Sequence, residues 1–438
     1  MLTTLKNAMK VKEIRQRIIF TFVMLIVIRI GSSLPVPGVD RTYFARWFAE
    51  QNGGALGFFD QITGGSFLAM SILALNINPY ITSSIIIQLL TIAIPKLEEM
   101  QRDGETGRKK MVAITRYVTV GLALIQSTAM AIGFGQNGLL IPFAWYNVIT
   151  CIVALTAGSA FLMWIGEQIT EHGIGNGISI VLIINILSRI PQDLTSLYEQ
   201  FVKGKAPATA VLASLIIIAI LIGMIVMVVF LNGGERRIPV QYAKKMAGNK
   251  LVGGATSNIP LKVNTSGMIP IIFAQSLLEF PVIIVSMIPN LNPTGFWGEV
   301  LKGLSTRNWC IPGQLKYSIG LLVYILLLIF FSYFYTSITF NPLMVADNLK
   351  RQGGFIPGIR PGKPTSDYLA KVLNYLIFIG AVGLIIVSVL PYVFNGVFGA
   401  NVSTSGASLI IIVSVILETL KQVESMMLVR NYQGFLKD

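Results

Sequence analysis

The stretch Ser71–Ile94, SILALNINPYITSSIIIQLLTIAI, constrains the fold more than any other part of the chain. From Ile77 onward it is almost wholly apolar and close to the roughly 20 residues that a helix needs to cross a bilayer. It nevertheless begins with Asn76, Asn78 and Pro79. Polar side chains and a missing backbone donor are costly in lipid unless they face protein or a water-filled cavity. Upstream lies ALGFFDQITGGSFL, Ala55–Leu68. Before Gly64-Gly65 it has room for about two helical turns, far short of a span. A short half-helix, a break and a membrane helix in succession suit a cavity lining, or a re-entrant loop that only fills space.

Composition sets the class. Of 438 residues, 53% are hydrophobic and 12% are charged. Soluble domains carry about 25% charged residues, so half that share with repeated apolar runs means a polytopic helical membrane protein. Met1–Arg17 is polar and basic, and the apolar run after it ends at Pro35-Val36-Pro37-Gly38 without a small-residue cleavage site. The first helix is therefore expected to be retained. Cys151 falls in an apolar segment and Cys310 in a loop, which argues against a disulfide framework. His172 is the single histidine, which argues against a multi-histidine metal site.

Ten spans are expected: Ile18–Leu34, Ile77–Ile94, Ile114–Phe134, Trp145–Ile169, Ile178–Ile190, Ala210–Leu231, Ile269–Ile288, Tyr317–Phe340, Leu369–Phe394 and Ser408–Val429. The fifth is short unless Ser188–Leu197 extends it. With the N-terminus inside, 25 of the 34 lysines and arginines fall on inside segments and 8 outside, while Arg29 lies within the first span. By the positive-inside rule both termini are expected in the cytoplasm.

Two inside loops are too long to be simple turns. In residues 232–265, Ile238, Val240 and Tyr242 alternate with Pro239, Gln241 and Ala243, as in a strand. Gly248-Asn249 supplies a turn, and Lys250-Leu251-Val252 can return as a second strand. In residues 342–367, Pro342 suits a helix start, Val345–Gln352 can be helical and Gly353-Gly354 ends the helix. In Arg360-Pro361-Gly362-Lys363, Pro and Gly fit the two centres of a type II turn with the cations at its corners. A docking surface accounts for this structure better than an orientation signal alone.

Several long segments carry a resemblance. SILALNINPYITSSIIIQLL, FLMWIGEQITEHGIGNGISI, GERRIPVQYAKK, IPLKVNTSGMIPIIFAQS and FNPLMVADNLKRQGGFIPGIRPG together resemble the SecY family of protein-translocation channels, in collinear order over nearly the whole chain. The resemblance implies an all-α fold of two inverted five-helix halves, residues 18–197 and spans six to ten, around an hourglass pore. It implies a plug at about 55–68 that includes Gly57, Phe58, Phe59, Asp60, Gln61, Ile62, Thr63, Gly64 and Gly65. It maps a pore ring onto Ile77, Ile81, Leu182, Ile272, Leu277 and Ile411. A narrow apolar ring expels water and blocks ions, yet offers a passing peptide no polar group to hold it.

The same resemblance implies a lateral gate between spans two and three on one side and seven and eight on the other, with Pro79, Ser83, Gln88, Pro270, Gln275 and Pro281 in the gate spans. Each proline removes a backbone donor and can loosen its helix. The implied partners are SecE, SecG, the ATPase SecA, the ribosome, signal peptides, nascent membrane helices and anionic lipids. SecA and the ribosome are expected on Arg236, Arg237, Lys244, Lys245, Lys350, Arg351, Arg360 and Lys363. No cofactor and no enzymatic activity of the chain itself are expected, because no P-loop, nucleophile constellation or metal cluster is visible. The implied location is the bacterial plasma membrane. Two other readings share the architecture. A secondary transporter would use midplane ionisable groups such as Arg29, Glu279 and Glu418, and an insertase would only catalyse membrane insertion.

Overall fold

The computed structural model describes residues 9–40, 42, 44, 46, 60, 63–135, 138, 140–203, 207–242, 245–247, 250–252, 256–287, 295–398 and 406–435. Its helices run α1 Lys12–Ser33, α2 Asn78–Ala93, α3 Pro95–Arg102, α4 Gly104–Phe134, α5 Trp145–His172, α6 Gly177–Phe201, α7 Pro207–Gly233, α8 Ile269–Met287, α9 Phe296–Leu304, α10 Ile319–Thr339, α11 Pro342–Arg351, α12 Lys363–Phe398 and α13 Gly406–Phe435. A helix occupies each of the expected spans. Among the described residues seven are individually long and apolar enough to cross a membrane, and α2 with α3, bent by 109°, passes the same test as a pair, as a broken span or a re-entrant loop. At the first and seventh positions, α1 carries Lys12, Glu13, Arg15, Arg17 and Arg29, and α8 holds a shorter apolar stretch, Ile269–Leu278.

The fifth helix takes the longer alternative. Asn176 caps α6 by accepting from the amides of Ile178 and Ser179, and the helix continues through Pro191 to Phe201. The second helix is shorter than its apolar run. At 16 residues α2 is about 24 Å long, less than the roughly 30 Å hydrocarbon core. Residues 64–76 ahead of it are turns, interrupted by a bridge of Ser71 to Pro35, with Met70 and Asn76 both at positive φ.

Three apolar cores stack along the helices. One packs the turn segment (Phe67, Met70, Ala74, Leu75) against α4 and α5. A second joins α7, α8, α10, α12 and α13 around Trp309, Tyr324 and Leu328. The third, the middle core, draws on both halves, with Ile28, Leu73, Ile165, Val181 and Ile412 among its members.

The basic loops fold on each other. Strands β1 Glu235–Tyr242, β2 Lys245–Ala247, β3 Lys250–Val252, β4 Thr256–Lys262 and β5 Gly354–Phe355 form a three-stranded sheet of order β4-β1-β5 and a separate β2-β3 hairpin. Ile238 and Val240 point inward and Pro239 and Gln241 outward, as the alternation predicts. The return strand differs from expectation. Lys250–Val252 pairs with Lys245–Ala247, while β1 pairs with β4, from Glu235↔Lys262 to Gln241↔Thr256. Leu261 supplies the buried face that β1 needs as a partner. Pro239 is tolerated because β5 reaches only Gln241 and Tyr242, so the missing donor lies where β1 has one neighbour.

Candidate functional site: an apolar cluster beside a broken helix

Ile77 is placed by the break. Asn76 adopts φ 52°, its Oδ1 accepts from the Ile77 amide at 2.7 Å, and its carbonyl accepts from Ser159 Oγ at 3.0 Å. Left-handed backbone suits Asn better than most residues because its short polar side chain bonds locally. Ile77 therefore stands fully buried at the mouth of α2, one turn before Ile81. Asn78 leaves its Nδ2 buried without a partner.

The middle core gathers five of the six expected ring residues. Ile77, Leu182 and Ile411 are among its buried members, and Ile81 and Ile272 pack against it. They come from α2, α6, α13 and α8, so the cluster crosses between the halves. Leu277 does not join them. It is 55% exposed, and α8 turns Ile271, Ala274, Gln275 and Leu278 inward instead. Five positions after Ile272, Leu277 sits well over a third of a turn away from it around the helix. Sequence reasoning missed Ile186, one turn along α6 from Leu182, which is buried in the same core. Only the helical spacing from Leu182 pointed to it.

Of the expected plug residues, Gly57, Phe58, Phe59, Gln61 and Ile62 lie outside the described residues. Asp60 is fully buried and contacts Arg189 of α6. Gly64 and Gly65 both have positive φ, and Ser188 Oγ of α6 donates to the Gly64 carbonyl.

Around the expected gate, Ser83 is buried and its Oγ donates to the Thr115 carbonyl, tying α2 to α4. On the facing side, Phe273 of α8 meets Phe331 of α10 edge-on at 5.5 Å. Ile85 of α2 packs against that second-half core. Gln88 keeps its Oε1 buried without a partner. Gln275 turns into its own half, where its Nε2 donates to Tyr392 Oη of α12. Pro79 and Pro270 occupy the first turns of α2 and α8, where a missing N–H leaves no helical bond unmade. Among these three prolines, Pro281 alone is internal to its helix and breaks the ladder.

On the basic face, Arg236, Arg237, Lys350, Arg351, Arg360 and Lys363 are all exposed. Lys244 lies outside the described residues, and Lys245 begins β2. Beneath them Ile238, Val240, Leu261, Leu349, Ile356, Leu369, Val372 and Leu376 form one core. Gly362 has φ 102°, as the second centre of a type II turn requires, and Thr365 Oγ1 donates to the Arg360 carbonyl at 2.8 Å. A second Pro-Gly turn, closed by the Ile359 amide on the Ile356 carbonyl, precedes it.

The SecY family model matches residues 71–420. The protein translocase subunit SecY of Streptomyces scabiei is 41% identical over 453 residues, covering 100% of both chains. Among solved structures, a SecY described by a plug domain that stabilises the closed state of the translocation channel aligns with TM-score 0.60 at 17% identity, covering 95% of this chain and 93% of that one. Sec61 in the canine ribosome–channel complex from the endoplasmic reticulum aligns with TM-score 0.59 at 17% identity, with the same coverage.

Proposed function

The chain belongs to the SecY family, and on that premise we propose that it is the channel-forming subunit of a Sec translocase in the bacterial plasma membrane. It passes unfolded preproteins across the bilayer and releases transmembrane segments sideways between α2/α4 and α8/α10. The observation that carries this reading is the apolar cluster of Ile77, Ile81, Leu182, Ile272 and Ile411, drawn from both halves beside a broken helix. Such a constriction stays dry at rest and leaves a moving chain no polar foothold. In this reading Asp60 and residues 63–71, held against α6 through Arg189 and Ser188, belong to the plug on its outer side.

The ten helices cross the membrane with both termini and the basic loops in the cytoplasm. The exposed cations over the shared core dock SecA or the ribosome, and ribosomal RNA contacts there are salt-dependent. SecE holds the two halves together, and SecG sits at the periphery. Energy comes from those partners, since the proposed role needs only a gated path.

The test is reconstitution with the partner subunits, measuring SecA-dependent preprotein translocation and resting ion conductance in parallel. Translocation with a low resting conductance is expected. A preparation that moves a small solute but no preprotein would replace this reading with that of a secondary transporter.

A further inference from the structure

We propose that Asp60 and Arg189 are positioning residues of the channel seal, an ion pair that holds the segment ahead of α2 against α6 and must separate before the pore conducts. This rests on the channel reading above. The Asp60 side chain is completely buried, and its Oδ2 lies 2.9 Å from Arg189 Nη2. Its Oδ1 accepts from the Leu68 amide at 2.8 Å, and its carbonyl accepts from the Gly65 amide and Thr63 Oγ1. One residue thus closes the turn and fastens it to α6. Arg189 also donates from Nη1 to Gln192 Oε1, while its Nε and Asp60 Oδ2 are buried without a hydrogen bond, so the pair is held by charge at 2.9 Å.

The neighbouring contact admits no slack. Gly64 lies at φ 68°, and a Cβ there would come within 2.6 Å of the Asn185 carbonyl. Ser188 Oγ adds a hydrogen bond to the Gly64 carbonyl. The turn therefore rests directly on the α6 backbone, next to Leu182 and Ile186 of the constriction.

The physics makes this pair state-dependent. In a dry seal neither charge can be left alone, because an unpaired buried ion costs far more than a paired one. Once water fills the pore, both groups are solvated separately and the penalty for parting disappears. Wetting of the constriction and release of the segment thus favour each other.

Asp60→Asn keeps the acceptor for Leu68 and removes the charge, and Arg189→Gln removes the partner. Arg189→Lys keeps the charge and loses the planar guanidinium that reaches both Asp60 and Gln192. Each is reconstituted with the partner subunits, and resting conductance and preprotein translocation are recorded. Both neutral variants are expected to raise resting conductance several-fold with translocation retained, and Arg189→Lys to fall between them and the parent. The double variant Asp60→Asn/Arg189→Gln, which leaves no lone charge, is expected to leak less than Asp60→Asn alone. Parental conductance in both neutral singles, or a double variant that leaks as the sum of its singles, overturns the pairing. Deletion of residues 57–66 separates the two ideas: if it leaks while the singles are silent, only the pair is wrong. If nothing leaks or translocates, the channel reading itself fails.

Discussion

Gln241 in β1 pairs antiparallel with Phe355 in β5, so the two basic loops are one folded body rather than two independent arms. The link is short, but the core beneath it is shared by β1, β4, α11 and the first turns of α12. Substituting one loop should therefore disturb the other. Ile238→Ala removes a buried side chain from that core and is expected to cost about 2–5 kcal/mol locally. Proteolysis at the Pro357-Gly358 turn, in the other loop, should speed up with it. Unchanged cleavage there would show that the loops fold separately.

Arg360 presents an exposed guanidinium on a backbone pinned by the Thr365 hydroxyl. A guanidinium fork recognises a carboxylate through two parallel bonds, which an ammonium cannot. Arg360→Glu is expected to leave the complex assembled and to abolish SecA-driven translocation. Arg360→Lys should lower it. Gly362→Ala should lower it as well, since an L-residue at φ 102° is strained by about 1–2 kcal/mol. Normal preprotein transport by Arg360→Glu would reduce the turn to an orientation signal.

Sidedness is open to a direct check. In a Cys151→Ala/Cys310→Ala background, single cysteines at the exposed positions Thr256 and Lys363 should react with a membrane-impermeant maleimide only in inverted vesicles. Reaction of either in sealed cells would invert the map derived from the lysine and arginine bias.

Helix positions were legible because long apolar runs admit few other structures, and the strand face of β1 was legible from its alternation of period two. Pairing was not. The two-residue β5 has no period of its own, and its partner lies more than a hundred positions away in the sequence. Nor does any local signal join Asp60 to Arg189. Leu277 failed for a different reason. Around it the polar Gln275, Ser276 and Glu279 mark no single outer face of α8, since Gln275 is itself buried, so only packing separates the buried Ile271 and Leu278 from the exposed Leu277. Pro79 and Pro270 fall in the first turns of α2 and α8, where the expected starts Ile77 and Ile269 already placed them, so of the three prolines only Pro281 interrupts a helical ladder.

That difference at α8 gives the sharpest test of the constriction. Ile77, Ile411 and Ile186 are buried in one apolar cluster, whereas Leu277 is exposed. A serine in the cluster offers water a hydrogen-bond partner inside a narrow dry passage, which favours wetting. Ile77→Ser with Ile411→Ser is expected to raise resting chloride or potassium conductance in planar bilayers several-fold. The matched double alanine removes nearly the same volume without adding polarity and should leak much less. Ile186→Ser should add to the serine pair, whereas Leu277→Ser and Ile217→Ser in α7 should leave conductance at the parental level. Preprotein translocation should survive in all of them, because a wetter passage still admits an extended chain. If Leu277→Ser leaks like Ile77→Ser, α8 turns a different face to the pore than the one its packing indicates. If serine and alanine pairs leak alike, the cluster seals by size alone and its dryness is irrelevant.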